Sequence, residues 1–482
     1  MLPSATPSRT VGTPRATDEA CRRAEDPGAP CGPAIGGSSP AVDPRLKGRR
    51  IAVDGHNLAL PHGTGVATYA RTLTYCLRDL GCRVDILYGQ RVHLDPAPIL
   101  REIAFLDPAG VPLRRGALRR VRDAATAFFG RDAEIIDMRG RAIADDVAGT
   151  LPYFDRIAAV PRLFQEATRH FRRFGRFLEV RMPETPEIMH WTYPLPVRVA
   201  GALNVYTLHD LVPLRLPTLT LDDKKYYHSL IGECIRRADH ICTVSERSKA
   251  DIQDMFDVAD DRITNTYQSV VLPAISANQE ESESRHYVEE VYGFPWQGYF
   301  LFFGAIEPKK NVSRLIEALL KAWPSRPLVI VGNPVWKALN ESSFLEDYER
   351  EIAATGAARR LYKFGYLPQS HLAGLVRGAR AVLFPSLYEG FGLPVVESML
   401  MGTPVLASTE GSFPEIAGDA ALLADPYDVD AIARAITDLD SDDELVNRLS
   451  ARGPEQAARF GIPPYMERLS RMYAKVLGLT AA

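Results

Sequence analysis

The sequence predicts an α/β protein made of two Rossmann-like domains whose parallel sheets face a central cleft. Three observations lead to this prediction. The length of 482 residues exceeds the size at which single hydrophobic cores usually stop growing. Short apolar strands alternate with helices of about 10–15 residues in two separate stretches of the chain. The composition, 46% hydrophobic and 24% charged, is ordinary for a folded globular protein.

The first domain is expected at 49–271, after a disordered tail at 1–48 that is rich in Pro, Ala, Gly and Ser. A helical insertion at about 95–185 interrupts its regular pattern. Its strands are expected within RRIAVDG, RVDILYG, EIMHWT, NVYTLHD, HICTV and ITNTYQS. Its helices are expected from about Val66 to Asp79, across Asp222 to Arg237 and from Ser245, whose hydroxyl is a suitable N-cap.

The segment 272–297 is irregular and polar, which predicts an interdomain linker. A second α/β domain is expected at 298–460, followed by a C-terminal helix at 461–482. Its strands are expected within YFLFFGA, PLVIVGN, LYKFGYL, AVLFPS, PVLAS and ALLAD. Helices are expected after Asn311, near 344–355, from Gln369, from Pro394, at Glu444–Phe460 and at Pro464–Leu477.

Charge and cysteine usage narrow the class of protein. The formal net charge of -3 gives no global attraction to nucleic acid. The six cysteines form no CxxC pair or zinc-like spacing, so we expect reduced thiols and no metal. No apolar run of about 18 residues and no leader is recognisable. The predicted location is the cytoplasm, with the inner membrane surface as the alternative.

The most informative segment is Pro385 to Ser408, PSLYEGFGLPVVESMLMGTPVLAS. A buried strand ends at Pro385, and the loop that follows carries Gly390 and Gly392. Pro394 stands where a helix would start, a position at which its missing N–H has no cost. Glycines allow close backbone approach, and a helix N-terminus attracts anions. This corner therefore favours a diphosphate.

Two carboxylates, Glu389 and Glu397, flank this corner. Acids are unsuited to a phosphate cradle, but they accept hydrogen bonds from the hydroxyls of sugars and ribose. A nucleotide sugar would supply both kinds of hydroxyl. The plainer interpretation is that Glu397 complements the helix dipole and that Glu389 is a solvated loop acid.

The E-x7-E arrangement, the FGLP core and the following MGTPVLAS resemble the donor-site signature of glycosyltransferase family 4, which has the fold called GT-B. The likeness to bacterial polysaccharide mannosyltransferases extends from about Arg50 to the C-terminus, and it fits the insertion poorly. The resemblance implies that Glu389 meets the donor sugar and that Glu397 holds the ribose. It implies donor contacts for Gly390, Phe391, Gly392 and Leu393.

A second segment, FFGAIEPKKNVSRLIEAL at Phe302 to Leu319, is similar to the strand, loop and helix that carry the family's phosphate-binding lysine. The resemblance assigns this role to Lys310, with Lys309 beside it; a solvated basic loop is the alternative. Many members have an arginine where this chain has Ala305. A phosphate contact is lost there, or Lys309 replaces it.

The nucleotide base is expected near two further strands. PLVIVGN and YKFGYLP resemble the family's base pocket, with Gly332 and Asn333 at a strand's carboxyl end. Phe364, Gly365 and Tyr366 would flank the base. Ordinary core packing of the two aromatic side chains is an equal alternative.

The first domain contributes a loop and a histidine. Gly63 and Gly65 separate the first strand from the first helix in a pattern other than GxGxxG, so no nicotinamide cofactor is indicated. By resemblance this loop faces the donor phosphates, although a plain turn is the alternative. His209, in a His-Asp pair that ends a strand, resembles the cleft histidine that positions the acceptor or donates to the sugar.

A basic amphipathic helix is predicted within 162–181. Its apolar face is expected to carry Phe164, Ala167, Phe171, Phe174 and Leu178, and its opposite face is expected to carry Arg169, Arg172, Arg173 and Arg176. Two interpretations stay open. The helix lies on an anionic membrane surface, or its apolar face packs in the core and its basic face is solvated.

Together these features predict a retaining glycosyltransferase that moves a hexose from a nucleotide sugar to a glycan or lipid-linked oligosaccharide in cell-surface polysaccharide synthesis. GDP-mannose is the first candidate donor, ahead of UDP-glucose, and no cofactor or metal is expected. Two rivals stay open. One is a glycoside hydrolase that uses Glu389 and Glu397. The other is a nucleotide-sugar-binding regulatory protein without turnover.

Overall fold

The computed structural model describes residues 43–59, 65–90, 130–138, 151–334 and 360–479. Within these residues the chain forms two separate larger sheets that are flanked by helices. Gly63, residues 1–42, most of the expected insertion and the helix expected at 344–355 lie outside the described residues.

The first domain is built around a parallel sheet. Its strands are β1 (Arg50–Asp54), β2 (Arg83–Tyr88), β3 (Arg131–Asp132), β4 (Glu134–Ile136), β5 (Arg156–Ala159), β6 (Leu178–Arg181), β7 (Ile188–Trp191), β8 (Val197–Val199), β9 (Leu203–Leu208), β10 (His240–Thr243) and β11 (Ile263–Asn265). Among the described residues, eight strands pair in the order β11-β10-β9-β7-β1-β2-β5-β4, and β4 runs antiparallel to β5. The strands β3, β6 and β8 form a smaller sheet. Strand β7 is buried along its whole length, as expected where helices cover both faces.

Polar residues immediately before two helices of the first domain act as their N-caps. The helices of this domain are α1 (Gly65–Asp79), α2 (Leu163–Phe174), α3 (Val212–Arg215), α4 (Lys224–Arg237) and α5 (Glu246–Phe256). The Ser245 side chain accepts a hydrogen bond from the Ser248 N–H, so the predicted N-cap of α5 is confirmed. Asp223 caps α4 by accepting from the Tyr226 N–H.

Helix α2 is the predicted basic amphipathic helix, and its apolar face is buried inside the protein. Phe164, Ala167 and Phe171 belong to the core of the first domain. The Phe171 ring contacts the rings of Phe177 and Tyr226 at 5.7 and 5.8 Å. The predicted stripe was wrong at its C-terminal end, because Gly175 ends the helix in a left-handed conformation: Phe174 is 42% exposed, and Leu178 lies in β6. The rest of the stripe is used for packing, which favours the second interpretation of this helix. None of the described helices combines the length and apolar character needed to cross a membrane.

The second domain is built around a six-stranded parallel sheet. Its strands are β12 (Phe300–Phe303), β13 (Leu328–Val331), β14 (Leu361–Phe364), β15 (Ala381–Phe384), β16 (Val405–Ser408) and β17 (Leu422–Ala424), and they pair in the order β14-β13-β12-β15-β16-β17. The remaining helices are α6 (Ala274–Ala277), α7 (Glu281–Arg285), α8 (Val312–Ala322), α9 (Gln369–Arg377), α10 (Leu393–Leu400), α11 (Phe413–Ala417), α12 (Val429–Ser441), α13 (Asp443–Ala458) and α14 (Ile462–Val476). Helices α11 and α12 were not predicted from the sequence. Asp428 caps α12 through two backbone N–H groups.

The segment 272–297 contains packed helices. After α7, a turn of π-helix covers His286–Val291. The Tyr287 ring lies 4.3 Å from the His371 ring of α9, and Phe294 packs 5.1 Å from Tyr299. This part of the expected linker therefore packs against the second domain.

Helix α14 returns from the second domain to the first. The Val270 N–H donates to the Phe460 carbonyl at 2.8 Å, so the two chain crossings between the domains lie side by side. Beyond the crossing, Tyr473 on α14 contacts the buried His190 on β7, with 2.5 Å between the Tyr473 hydroxyl and His190 Nδ1. The other ring nitrogen lies 2.7 Å from the Thr207 hydroxyl. The last helix thus completes the interior of the first domain.

Acid should destabilise the protein through His190. Burial lowers the pKa of His190 from 6.5 to about 3, so the ring stays neutral in the folded state. The unfolded chain binds a proton below its ordinary pKa of 6.5. The free energy of unfolding should therefore fall by up to about 1.4 kcal/mol per pH unit as the pH drops from about 6.5 towards 3.

Urea titrations at about pH 7 and pH 5 would measure this loss. The variant His190→Gln should weaken the pH dependence, whereas His286→Gln, at an exposed histidine, should retain it. An equal pH dependence in all three proteins would contradict the assignment.

Candidate functional site

The two domains meet closely at two points between the ends of their sheets. A Cβ added to Gly65 would lie 3.0 Å from Cδ1 of Leu393, so the first residues of α1 and α10 face each other. A Cβ added to Gly390 would lie 2.8 Å from the His209 carbonyl oxygen and 2.8 Å from Cβ of Asp210. The second contact leaves no room for a side chain. Several predicted site residues from different domains are thereby brought together.

The N-terminus of α10 is shaped by Gly392. This residue has a φ of 94°, and a Cβ at its position would lie 2.6 Å from the ring of Phe413. No side chain caps α10, and Pro394 occupies its first turn. The Phe391 side chain points into the core, 5.5 Å from the Phe460 ring, so only its backbone borders the corner. The positive end of α10 is thus left without a side-chain acceptor.

Glu389 and two lysines form a buried cluster beside this helix. Lys310 Nζ donates to Glu389 Oε1 at 2.5 Å. Lys309 Nζ lies 3.8 Å from the other carboxylate oxygen of Glu389 and 3.5 Å from Glu307 Oε1. The Glu389 side chain is only 11% exposed. One carboxylate is therefore held between two ammonium groups at the edge of the second sheet.

Charges within this cluster shift the pKa values of Glu389 and Lys309. Burial alone would raise the pKa of Glu389, but Lys309 and Lys310 outweigh it and hold that pKa below its ordinary value. The charge of Glu389 in turn raises the pKa of Lys309. Glu389 and Lys309 therefore stay charged at neutral pH.

Asn311 holds the lysine-bearing turn in place, and the sequence analysis missed it. Its φ is 61°, a left-handed conformation that asparagine tolerates better than most residues. Its side-chain Nδ2 donates to the carbonyls of Pro385 and Pro426 at 3.0 and 2.7 Å. The Leu387 N–H donates to the Lys309 carbonyl at 2.8 Å. The turn and the Glu389 loop are thus joined at several points.

Glu397 differs from Glu389 in lacking a basic partner. It lies half-buried on α10, and no described residue donates to its carboxylate. Burial raises its pKa to about 7. A ligand hydroxyl that donated to this carboxylate would stabilise its charged form.

His209 stands at the carboxyl end of β9, beside the glycine contact. Its Nε2 lies 2.9 Å from the Thr192 carbonyl, which accepts only if this nitrogen carries the proton. Tyr69 packs edge-on against the ring at 5.0 Å. Burial lowers the pKa of His209, which favours the neutral ring. Nδ1 is then a hydrogen-bond acceptor.

The residues predicted around a nucleotide base lie at the ends of β13 and β14. Gly332 adopts a φ of 153°, and a Cβ there would collide with the Gly304 carbonyl oxygen. Asn333 is exposed, and its side-chain oxygen would lie 3.2 Å from a Cβ at Gly365. The other two members of the predicted set, Phe364 and Tyr366, differ in exposure. Phe364 packs 5.2 Å from Tyr292, whereas Tyr366 is 84% exposed.

Asp251 links the Glu389 loop to the first domain, a role that the sequence analysis missed. This carboxylate is buried on α5 and accepts a hydrogen bond from the Tyr388 hydroxyl of the second domain. Arg215 Nη2 and Arg247 Nε lie 2.5 and 3.2 Å from its other oxygen. Arg247 Nε also donates to the Tyr388 hydroxyl at 3.0 Å. The residue next to Glu389 is therefore anchored across the domain boundary.

Glu415 makes a second link between the domains. Its carboxylate accepts hydrogen bonds from the N–H groups of Glu246 and Arg247, the first residues of α5, at 3.0 and 2.8 Å. It also accepts from the Tyr267 hydroxyl at 3.0 Å. An acid of the second domain thus complements a helix N-terminus of the first.

The described residues contain no cluster of three His, Cys, Asp or Glu side chains that could hold a metal ion.

Most of the chain between 63 and 456 is similar to two protein families. Residues 63–270 match the family described as Glycosyltransferase Family 4, and residues 294–456 match Glycosyl transferases group 1. The chain is 34% identical over 272 residues to O-antigen chain mannosyltransferase B of Escherichia coli. The aligned region covers 55% of this chain and 68% of that relative. It is 30% identical over 278 residues to the serotype-specific mannosyltransferase WbdA of Escherichia coli, covering 56% of this chain and 33% of WbdA.

A solved structure agrees in fold. Sucrose-phosphate synthase from Thermosynechococcus elongatus superposes with a TM-score of 0.59 at 17% identity, covering 90% of this chain and all of that chain. The predicted fold class, two Rossmann-like α/β domains that face a cleft, is confirmed.

The contact at Gly390 makes a direct prediction. The variant Gly390→Ala should force the two domains apart, because a methyl group would meet the backbone of His209. The radius of gyration from small-angle X-ray scattering should increase, and Tm should fall by a few degrees, corresponding to roughly 1–3 kcal/mol. Gly232→Ala is a matched control, since a Cβ there has ordinary contacts of 3.6 Å with Phe256. An unchanged scattering profile for Gly390→Ala would contradict the tight contact.

Proposed function

This chain belongs to the glycosyltransferases of family 4 and group 1, and from that premise we propose that it is a retaining hexosyltransferase with a nucleotide-sugar donor. The acceptor is a glycan or a lipid-linked oligosaccharide in cell-surface polysaccharide synthesis. The observation that carries the proposal is the buried cluster of Glu389, Lys309 and Lys310 beside the uncapped N-terminus of α10.

The donor diphosphate binds where the starts of α1 and α10 face each other. Both helices direct the positive ends of their dipoles towards this space. The contact between Gly65 and Leu393 supports this position. Lys310, held by Glu389 in the absence of ligand, turns to the phosphates when the donor binds. This placement explains why glycines border a site that anions approach closely.

The two carboxylates then hold hydroxyl groups of the donor. Glu389 accepts from the sugar, and Glu397 accepts from the ribose. The absence of a donor to Glu397 among the described residues supports this role, since a carboxylate with a raised pKa gains most from a hydroxyl partner. The base lies near Gly332, Asn333, Gly365 and the exposed Tyr366, with Phe364 contributing through its backbone.

Catalysis consists of stabilising the charge that develops as the bond between sugar and phosphate breaks. Lys310 and the start of α10 stabilise the leaving diphosphate. The acceptor hydroxyl attacks the same face of the sugar, and its proton passes to the leaving phosphate oxygen, so that configuration is retained. His209, as a neutral acceptor at Nδ1, positions a sugar hydroxyl. No metal or cofactor takes part in these steps.

Mannose is the proposed sugar and GDP-mannose the proposed donor. Two similar proteins are named as mannosyltransferases, one of them for O-antigen chains. A thermal-shift panel of GDP-mannose, UDP-glucose and their nucleoside diphosphates tests this choice. A ligand that binds only the folded protein raises Tm with concentration. A response to UDP-glucose alone would overturn the mannose assignment.

Glu389 and Lys310 should separate binding from catalysis. Glu389→Ala removes the acceptor for a sugar hydroxyl but frees Lys310 for the phosphates, so these two effects should leave the affinity for GDP-mannose within a few-fold of its original value. Loss of the contact that orients the sugar should lower kcat by about 10²–10³-fold. Lys310→Met should weaken both. Binding is measured by calorimetry, and turnover by release of GDP in the presence of an oligosaccharide acceptor. The control is Glu317→Ala, an exposed carboxylate on α8. Unimpaired turnover in Glu389→Ala would refute its role.

Glu397 should make donor binding depend on pH. Its pKa of about 7 means that a growing fraction is protonated as the pH falls below that value. Affinity for GDP-mannose should therefore rise with pH through about 7, by at most about tenfold per pH unit, and level off above it. The esterified diphosphate of GDP-mannose does not titrate in this range. In Glu397→Gln the dependence should disappear, and its persistence would assign it to another group.

A further inference from the structure

We propose that the acceptor is an uncharged saccharide, selected over a phosphorylated or carboxylated one by the charges that line a cavity of about 530 Å³ between the two domains. The inference rests on the proposed function, and it adds the charge selectivity of the acceptor site. The volume falls within the range of about 300–1,000 Å³ typical of small-molecule sites.

The cavity adjoins the catalytic cluster. Its wall includes His209 of the first domain and Lys309 of the second. Lys309 Nζ lies 3.8 Å from Glu389. Val66, the second residue of α1, also lines the cavity and stands next to the contact between Gly65 and Leu393. A molecule in the cavity would therefore lie beside a donor bound at the helix starts.

The charge of the cavity is predominantly negative. Its lining carries three carboxylates, on Asp210, Asp222 and Glu307, and one ammonium group, on Lys309. The charge of Lys309 is already matched by two carboxylates, at 3.5 and 3.8 Å. A phosphate or carboxylate on the acceptor would enter a space without a spare positive side chain in its described lining. Like charges brought together in this way oppose binding.

The same groups suit an uncharged sugar. Carboxylates accept hydrogen bonds from hydroxyls, and Asp222 on the exposed rim has its carboxylate free for this. Tyr193 offers an apolar surface: its ring is 38% exposed and stacks on His56 with 6.0 Å between centroids and 10° between planes. Pro194 continues this surface. An acceptor ring can thus pack on Tyr193 and direct its hydroxyls to the acids.

The experiment compares acceptors of equal shape and different charge with the full-length protein. GDP-mannose is the donor, methyl α-mannoside and mannobiose are the neutral probes, and mannose 6-phosphate is the charged probe. Binding of GDP-mannose is measured separately, without acceptor. We expect kcat/KM for the neutral probes to exceed that for the phosphate by at least about tenfold.

Two substitutions test the assigned residues. Asp222→Lys should reduce the preference for the neutral probes by about tenfold, because it places a cation at the rim. Tyr193→Ala should raise the acceptor KM several-fold and leave the affinity for GDP-mannose unchanged. Asp419→Asn is the control, a carboxylate of the second domain that pairs with Arg452 outside the cavity.

The outcomes distinguish this inference from the proposed function. If no nucleotide sugar binds, both are overturned. If GDP-mannose binds but mannose 6-phosphate accepts as well as the neutral probes, the charge selectivity is wrong and the proposed function stands. The same holds if both substitutions leave the acceptor kinetics unchanged.

Discussion

The architecture of the cleft depends on the approach of two backbones. Gly390 lies against the end of β9 so closely that a single added carbon would meet the His209 carbonyl and Asp210. This contact places the Glu389 loop over the first domain, and the hydrogen bond between Tyr388 and Asp251 holds it there. Because the cavity proposed for the acceptor takes its walls from both domains, its shape follows from the same contact.

The electrostatics of the cleft follow from this geometry. Glu389, Lys309 and Lys310 are shielded from water, so their mutual attraction is stronger than it would be at an exposed surface. Glu389 thereby offsets the cost of burying two ammonium groups. In the proposed function, an incoming diphosphate would exchange one anionic partner of Lys310 for another, so the site would need little reorganisation.

The sequence was sufficient for most of the architecture and for part of the site. Buried parallel strands such as β12 are continuous apolar runs, and caps such as Ser245 are local signals. Asn311 was not predicted although its neighbour Lys310 was proposed as a site residue, because the role of Asn311 depends on carbonyls of distant loops. The pair of Asp251 and Tyr388, 137 residues apart, leaves no periodic or local pattern. The buried apolar face of α2 likewise required the packed structure, since a pattern of alternating faces does not reveal what covers them.

The return of α14 to the first domain has a consequence for biosynthesis. His190, deep in β7, receives its Tyr473 partner only from this helix. When residues 43–271 have left the ribosome, the part of α14 that completes the interior of the first domain has therefore not yet been synthesised. Domains nevertheless usually fold in order of synthesis. During translation of the second domain, the nascent first domain presents an uncovered apolar groove alongside α1, where Tyr69 later packs against Tyr465. A chaperone that binds exposed apolar surface would act on the nascent chain during this interval.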